Sequence, residues 1–370
     1  MSRLPTLRPP IDLVSLVRPV VRDLAPYQRD PEPERTPPRN IRLDMNESPY
    51  GASPKARAAI AEFELAHRYP ELDAYSLRAA LADYVGVAPD RVVVGAGLDD
   101  VLATTALLLI DPGDQVIISE PTFGVYRPLF TRHGGDVLDV PLRPDFTLDV
   151  NGILGAADDR TKLIIVCDPN NPTGNQFDPA AVERICAEAG CFVAIDEAYA
   201  EFAGTTALPL MERYPNVAVF RTMSKFAGLA GMRVGFGVFP GDLMPFAMRV
   251  MPAFGNVSAV STAAALASLD DLNYLQTVIA TIVADRDRLA AGLREIPGVE
   301  PLPSATNFLL VRLPVPNAKP VVEELARRGI FVRRIALADY LRVTVGSPEE
   351  NRIFLAELRS SLAATSGAGQ

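Results

Sequence analysis

Short continuous apolar runs alternate with amphipathic stretches along most of this 370-residue chain. VVV at 92–94, QVIIS at 115–119, KLIIVC at 162–167, CFVAI at 191–195, VAVF at 217–220 and VGFGV at 234–238 have strand length. Their lack of polar alternation suits strands buried on both faces. Between several of them lie helical patterns, such as Val182, Ile185, Cys186 and Ala189, which recur at the spacing of one helix face. Strand, helix, strand repeated in this way predicts an α/β fold with a mostly parallel sheet covered by helices. From about residue 271 the texture changes. A long helical stretch at 274–296 leads to a strand at 307–312, a helix at 319–328, strands near 330–333 and 341–345, and a last helix from Pro348. That pattern predicts a smaller α+β unit. The expected organisation is an extended N-terminal arm (1–45), a large domain (46–270) and a small C-terminal domain (271–370). Residues 1–40 hold nine of the 33 prolines, including the cluster from Pro31 to Pro38, so the arm must lie on something else instead of folding regularly.

Composition narrows the function without naming it. A net charge of −9 argues against non-specific nucleic-acid binding, which needs basic patches. The apolar run at 101–110 holds two threonines and ends at Asp111-Pro112, so it reads as a buried helix too short for a membrane. No apolar segment follows Arg3 and Arg8, and no signal peptide is expected. Cys167, Cys186 and Cys191 lack zinc or redox spacing and sit in apolar segments. Buried reduced thiols in a cytoplasmic protein are the expected reading, with no metal site.

The chemistry gathers in the loops that follow the predicted strands: GAGLDD (95–100), EPTFGVY (120–126), DPNNPTG (168–174), DEAY (196–199) and TMSK (222–225). In an α/β sheet such loops share one edge, where ligands bind. Each has a bland reading when taken alone. Asp196 could cap a helix or close a turn, and PNNPTG makes a turn unaided. The glycines before residue 98 could simply start a helix, Lys225 could pair with an acid, and Arg233 could face water. Taken together they meet the needs of one cofactor, pyridoxal phosphate. It requires a lysine to bond its carbonyl carbon, a carboxylate for its ring nitrogen, donors for its phenolic oxygen, a phosphate cradle and an aromatic plate. A lysine is an effective nucleophile when burial depresses its pKa, which accounts for the apolar setting of Lys225.

In this order and spacing, NESPYGASP (46–54), RYPE (68–71), PTFGVY (121–126), PNNPTG (169–174), DEAY (196–199), TMSKFAGLAGMRVG (222–235), NF (307–308), GIFVR (329–333) and LRVTVG (341–346) resemble the fold-type I pyridoxal-phosphate aminotransferases. The likeness runs from about residue 41 to 360 and is strongest to the histidinol-phosphate aminotransferase branch. It implies that the large domain binds the cofactor and that Lys225, Asp196 and Tyr199 are catalytic. Lys225 would bond the cofactor and shuttle a proton; Asp196 would pair with the ring nitrogen. Tyr199 and Asn171 would bond the phenolic oxygen, and Phe123 would stack on the ring. Thr222, Ser224, Arg233 and the backbone at Gly97, Leu98 and Asp99 would hold the phosphate. Tyr69 would reach the phosphate of a neighbouring subunit, which implies a homodimer with shared sites. Arg342, with Arg333, Tyr27 and Asn171, would bind the amino donor, and a 2-oxo acid would accept the amino group.

Two departures bear on the substrate. Relatives that use histidinol phosphate commonly carry Tyr-x-Pro-Gly near the N-terminus, whereas PYQRDPEPE (26–34) follows Tyr27 with no such pair. Leu98 also stands where a small hydroxyl residue is frequent. The first departure tilts the expected donor towards an α-amino acid with a bulky or aromatic side chain. Decarboxylation or oxidation of an amino acid on the same fold are the alternatives. A regulator that only senses the cofactor would need a basic DNA-binding module, for which the proline-rich arm has no room.

Overall fold

The computed structural model describes residues 17–22, 24, 40–252 and 255–367. Among them the chain forms twelve strands: β1 (Ile41–Leu43), β2 (Val92–Ala96), β3 (Gln115–Ile118), β4 (Asp136–Asp139), β5 (Thr161–Cys167), β6 (Phe192–Asp196), β7 (Val217–Thr222), β8 (Val234–Val238), β9 (Glu300–Pro301), β10 (Phe308–Arg312), β11 (Ile330–Arg334) and β12 (Tyr340–Thr344).

Seven of them make the larger sheet, in the order β2-β8-β7-β6-β5-β3-β4. All run parallel except β8, which is antiparallel to both neighbours. The central strands β5, β6 and β7 are almost wholly buried, as continuous apolar runs require when helices cover both faces. The reversed strand has a consequence for the site. Because β8 runs backwards, its first residue pairs with Ala96 at the carboxyl end of β2. Arg233, one residue earlier, therefore arrives at the same sheet edge as the loops after β2, β5, β6 and β7.

The helices that pack on this sheet start and stop where their sequence directs. Asp178 and Ser53 cap helices Pro179–Glu188 and Pro54–Ala61 through their side chains, each followed by proline in the first turn. Gly97, at φ +86°, precedes helix Leu98–Leu109, which carries Asp99 and Asp100 in its first turn. Of the three cysteines, all free, Cys167 and Cys186 are buried and Cys191 is only half-buried. Among the described residues no helix is long and apolar enough to cross a membrane.

The second sheet has the order β1-β11-β12-β10-β9. Its neighbours are antiparallel except β1, which runs parallel to β11. Residues 41–43, at the end of the expected arm, are thus a strand of this sheet. Leaving it, the chain passes through residues 44–51 to the edge of the larger sheet, so this short segment is in contact with both.

Candidate active site

Lys225 follows β7 in a tight turn, and its side chain is only partly exposed. Its Nζ donates to the carbonyl of Met45 at 2.9 Å. Burial, reinforced by the nearby cations Arg342 and Arg233, pulls its pKa from 10.5 down to about 8. A minor but appreciable fraction of the amine is therefore uncharged close to physiological pH.

Asp196 ends β6 and is 2% exposed. Its Oδ2 accepts from the Tyr126 hydroxyl at 2.5 Å, and its Oδ1 from the Ala198 backbone N–H at 3.0 Å. Both donors are neutral, and burial pushes its pKa up to about 6. A buried carboxylate held only by neutral donors is arranged to meet a cation. Phe123 packs edge-on against Tyr126, with ring centroids 5.5 Å apart.

Arg342 is 8% exposed in an interior strand of the second sheet. An edge arginine facing water is thereby ruled out. Its Nη1 donates to Asn171 Oδ1 and its Nη2 to the Asp44 carbonyl, both at 2.6 Å. Since the guanidinium can only donate, Asn171 must turn its oxygen to Arg342, which leaves its NH₂ to donate elsewhere. Phe308 lies against both Arg342 and Tyr199, each at 5.2 Å. Arg333 is the register partner of Arg342 across β11 and β12. Directly opposed residues of an antiparallel pair share a face, so Arg333 and Arg342 project from the same side of the sheet.

At the other end of the site, Thr222 Oγ1 and Ser224 Oγ are 3.0 Å apart, and the Ser224 N–H donates to Thr222 Oγ1 at 3.1 Å. Arg233 has a left-handed backbone (φ +52°) and donates to Asp99 at 3.3 Å. A Cβ added at Gly97 would collide with the Arg233 guanidinium, and one at Gly235 with the backbone of Leu98. Only glycine at both positions lets the helix start, β8 and Arg233 close together. Hydroxyls, a guanidinium and a helix N-terminus thus come together here, groups of the kind that in general suit an anion.

Tyr69 is 78% exposed. Tyr27 lies outside the described residues. Four participants were not singled out from the sequence: Tyr126 on Asp196, Asn46 on Tyr199, Thr344 on Asn46, and Asn307, whose Nδ2 donates to the Asn46 carbonyl at 3.0 Å. All four lie inside the quoted motifs. A tyrosine three residues after Phe123, at the start of a helix, was the available signal for Tyr126.

In this α/β fold one sheet edge gathers a partly buried lysine of lowered pKa, a buried carboxylate with no cationic partner among the described residues, and a guanidinium beside a helix N-terminus. The family described as aminotransferase class I and II matches residues 38–358, and the chain belongs to that family. It is an aminotransferase. It is 39% identical to the histidinol-phosphate aminotransferase of Roseiflexus castenholzii, over 95% of this chain and 99% of that protein. Against the histidinol-phosphate aminotransferase of Dehalococcoides mccartyi strain CBDB1 the identity is 36%, over 92% of this chain and 96% of the relative. Among solved structures, the histidinol-phosphate aminotransferase of Sinorhizobium meliloti, in complex with pyridoxal-5'-phosphate, superposes with a TM-score of 0.84 at 30% identity. It covers 95% of this chain and 98% of its own.

Proposed function

We propose that this chain uses pyridoxal phosphate to move the amino group of histidinol phosphate onto a 2-oxo acid. The residues present suit the cofactor. Gly97 lets the Arg233 guanidinium lie against the helix start, where a Cβ would collide with it, and Asp196 is a buried carboxylate with no cationic partner among the described residues. Thr222, Ser224, Arg233 and the backbone of Gly97, Leu98 and Asp99 would hold the phosphate. Asp196 would hold the protonated ring nitrogen, Tyr199 and the Asn171 NH₂ the phenolic oxygen, and Phe123 the ring face. When bound, pyridoxal phosphate supplies an electron-withdrawing ring that stabilises negative charge at the carbon bearing the amino group. Lys225, with a pKa of about 8, takes and returns the proton at that carbon.

The observation that carries the anionic end of the substrate is the buried Arg342 guanidinium beside Asn171. A guanidinium can engage a phosphate through two parallel hydrogen bonds. The names of the curated relatives support the same donor. The expectation drawn from the arm, an α-amino acid, gives way to this reading. Decarboxylation and oxidation are not favoured, since the relatives named above are aminotransferases. Mixing the yellow holoenzyme with histidinol phosphate and with a panel of amino acids tests it. Histidinol phosphate should discharge the visible absorbance fastest, and a wide margin for an aromatic amino acid would refute the substrate.

The protein is further read as a cytoplasmic homodimer, with the two sheets as the cores of its two domains. Leu65, Tyr69, Leu72 and Tyr75 are all exposed within eleven residues, an apolar patch that suits a subunit interface. If Tyr69 completes the neighbour's site, mixing Tyr69→Phe with Lys225→Ala subunits should restore activity above either parent. No recovery after verified subunit exchange would exclude a shared site.

A further inference from the structure

Asn46 occupies a left-handed backbone position, φ +54°, which asparagine tolerates better than most residues. Every polar group it has is engaged. Its backbone N–H donates to Thr344 Oγ1 at 3.0 Å, and its carbonyl accepts from Asn307. Its Oδ1 accepts from Thr344 Oγ1 at 3.1 Å, and its Nδ2 donates to the Tyr199 hydroxyl oxygen at 2.9 Å.

The directions of these bonds follow from donor chemistry. A backbone N–H can only donate, so the Thr344 oxygen accepts from Asn46 and must dispose of its own single hydrogen. Asn46 Oδ1 is the acceptor within reach. The opposite setting of the amide would face NH₂ to Thr344 and leave the threonine hydrogen without an acceptor among the described hydrogen bonds. With Oδ1 towards Thr344, the NH₂ faces Tyr199, and an NH₂ can only donate. The Tyr199 oxygen therefore accepts, and its hydrogen points away from Asn46. Asn46, Thr344 and Tyr199 are 1%, 2% and 3% exposed, so bulk water does not compete for these bonds. Burial also raises the Tyr199 pKa well above its ordinary value, which keeps the hydroxyl protonated.

We infer that Asn46 and Thr344 are positioning residues that fix the Tyr199 hydroxyl as a hydrogen-bond donor into the site. This rests on the reading that pyridoxal phosphate presents its phenolic oxygen there. A hydroxyl whose hydrogen has been committed in advance needs no reorientation when that oxygen arrives.

The experiment compares Thr344→Val with Thr344→Ser. Valine keeps the shape but frees the amide to turn, so that Tyr199 spends its hydrogen on Asn46 Oδ1. Serine keeps the hydroxyl. Donation to an oxygen anion favours the deprotonated chromophore, so Thr344→Val should raise the pH at which the bound cofactor's visible absorbance titrates, by about half a unit or more. Its kcat should fall about tenfold with little change in KM. Thr344→Ser should stay within about twofold of the wild type on both measures. Added to Tyr199→Phe, Thr344→Val should cost almost nothing more, because the hydroxyl it orients is gone. Equal titration points in wild type, Val and Ser, or full additivity with Tyr199→Phe, would overturn the inference while leaving the proposed reaction intact. A wild type that binds no pyridoxal phosphate would overturn the reaction, and the inference with it.

Discussion

Replacing Lys225 with methionine should stabilise the cofactor-free protein, and by an amount that depends on pH. The folded ammonium is held at a pKa of about 8 against 10.5 when free, chiefly because burial strips its water. Below pH 8 the lysine is protonated in both folded and unfolded chains, so folding bears the whole cost of burying the charge. Between pH 8 and 10.5 the unfolded chain binds the extra proton, and stability rises with pH until the cost is gone. At about 1.4 kcal/mol per pKa unit the shift corresponds to roughly 3 kcal/mol at most. Partial exposure of the side chain reduces this to about 1–3 kcal/mol. Methionine also loses the bond to the Met45 carbonyl, worth about 1 kcal/mol in the opposite sense. Lys225→Met should thus be the more stable protein at pH 7, with its advantage falling away towards pH 10.5. Urea unfolding of both cofactor-free proteins across pH 6–10.5 measures this, and taking the difference cancels every other titrating group. A difference that stays flat from pH 8 to 10.5 would show that the Lys225 ammonium is not penalised by its site, and the argument for a lowered amine pKa would fail.

Two further outcomes follow from the same geometry. Asp196→Ala should still bind the cofactor through the phosphate cradle yet lose at least ~100-fold in half-reaction rate, because no buried carboxylate then holds the ring nitrogen's proton; near-normal turnover in stopped-flow would remove Asp196 from the chemistry. Gly97→Ala should weaken cofactor affinity about tenfold or more, from left-handed strain of about 1–2 kcal/mol together with displacement of Arg233; unchanged affinity by equilibrium dialysis would show that Arg233 yields freely.

Much of this was legible before any coordinates, for a physical reason. Strands buried on both faces must be apolar throughout, so β2, β5, β6, β7 and β8 were visible as runs, and the polar loops directly after them had to be exposed ends. Asp196 and Lys225 stood out because each is a charge placed where an apolar strand finishes. β4 and β1 were not visible. The strand Asp136–Asp139 is flanked by aspartates and only partly buried, and Ile41–Leu43 has three residues, too few for any period to register.

The site residues that escaped notice share a property. Tyr126, Asn46 and Thr344 act on other side chains and Asn307 on a backbone carbonyl, and a residue that orients another group can be recognised only once its partner is known. Thr344 is separated from Asn46 by 298 positions and Tyr199 from Asn46 by 153. No local pattern links them. What joins them is the segment after β1, which threads between the two sheets and turns successive groups to different partners. The Asp44 carbonyl meets Arg342, the Met45 carbonyl meets Lys225, and the Asn46 amide meets Tyr199. Three consecutive residues therefore set the direction of the substrate-binding cation, the reactive amine and the hydroxyl donor of the proposed site. Backbone carbonyls contact two of the three, and a carbonyl carries no side-chain identity. Sequence alone could mark NESPYG as a motif, but only the fold reveals that its first residue and the two before it reach three groups of the proposed site.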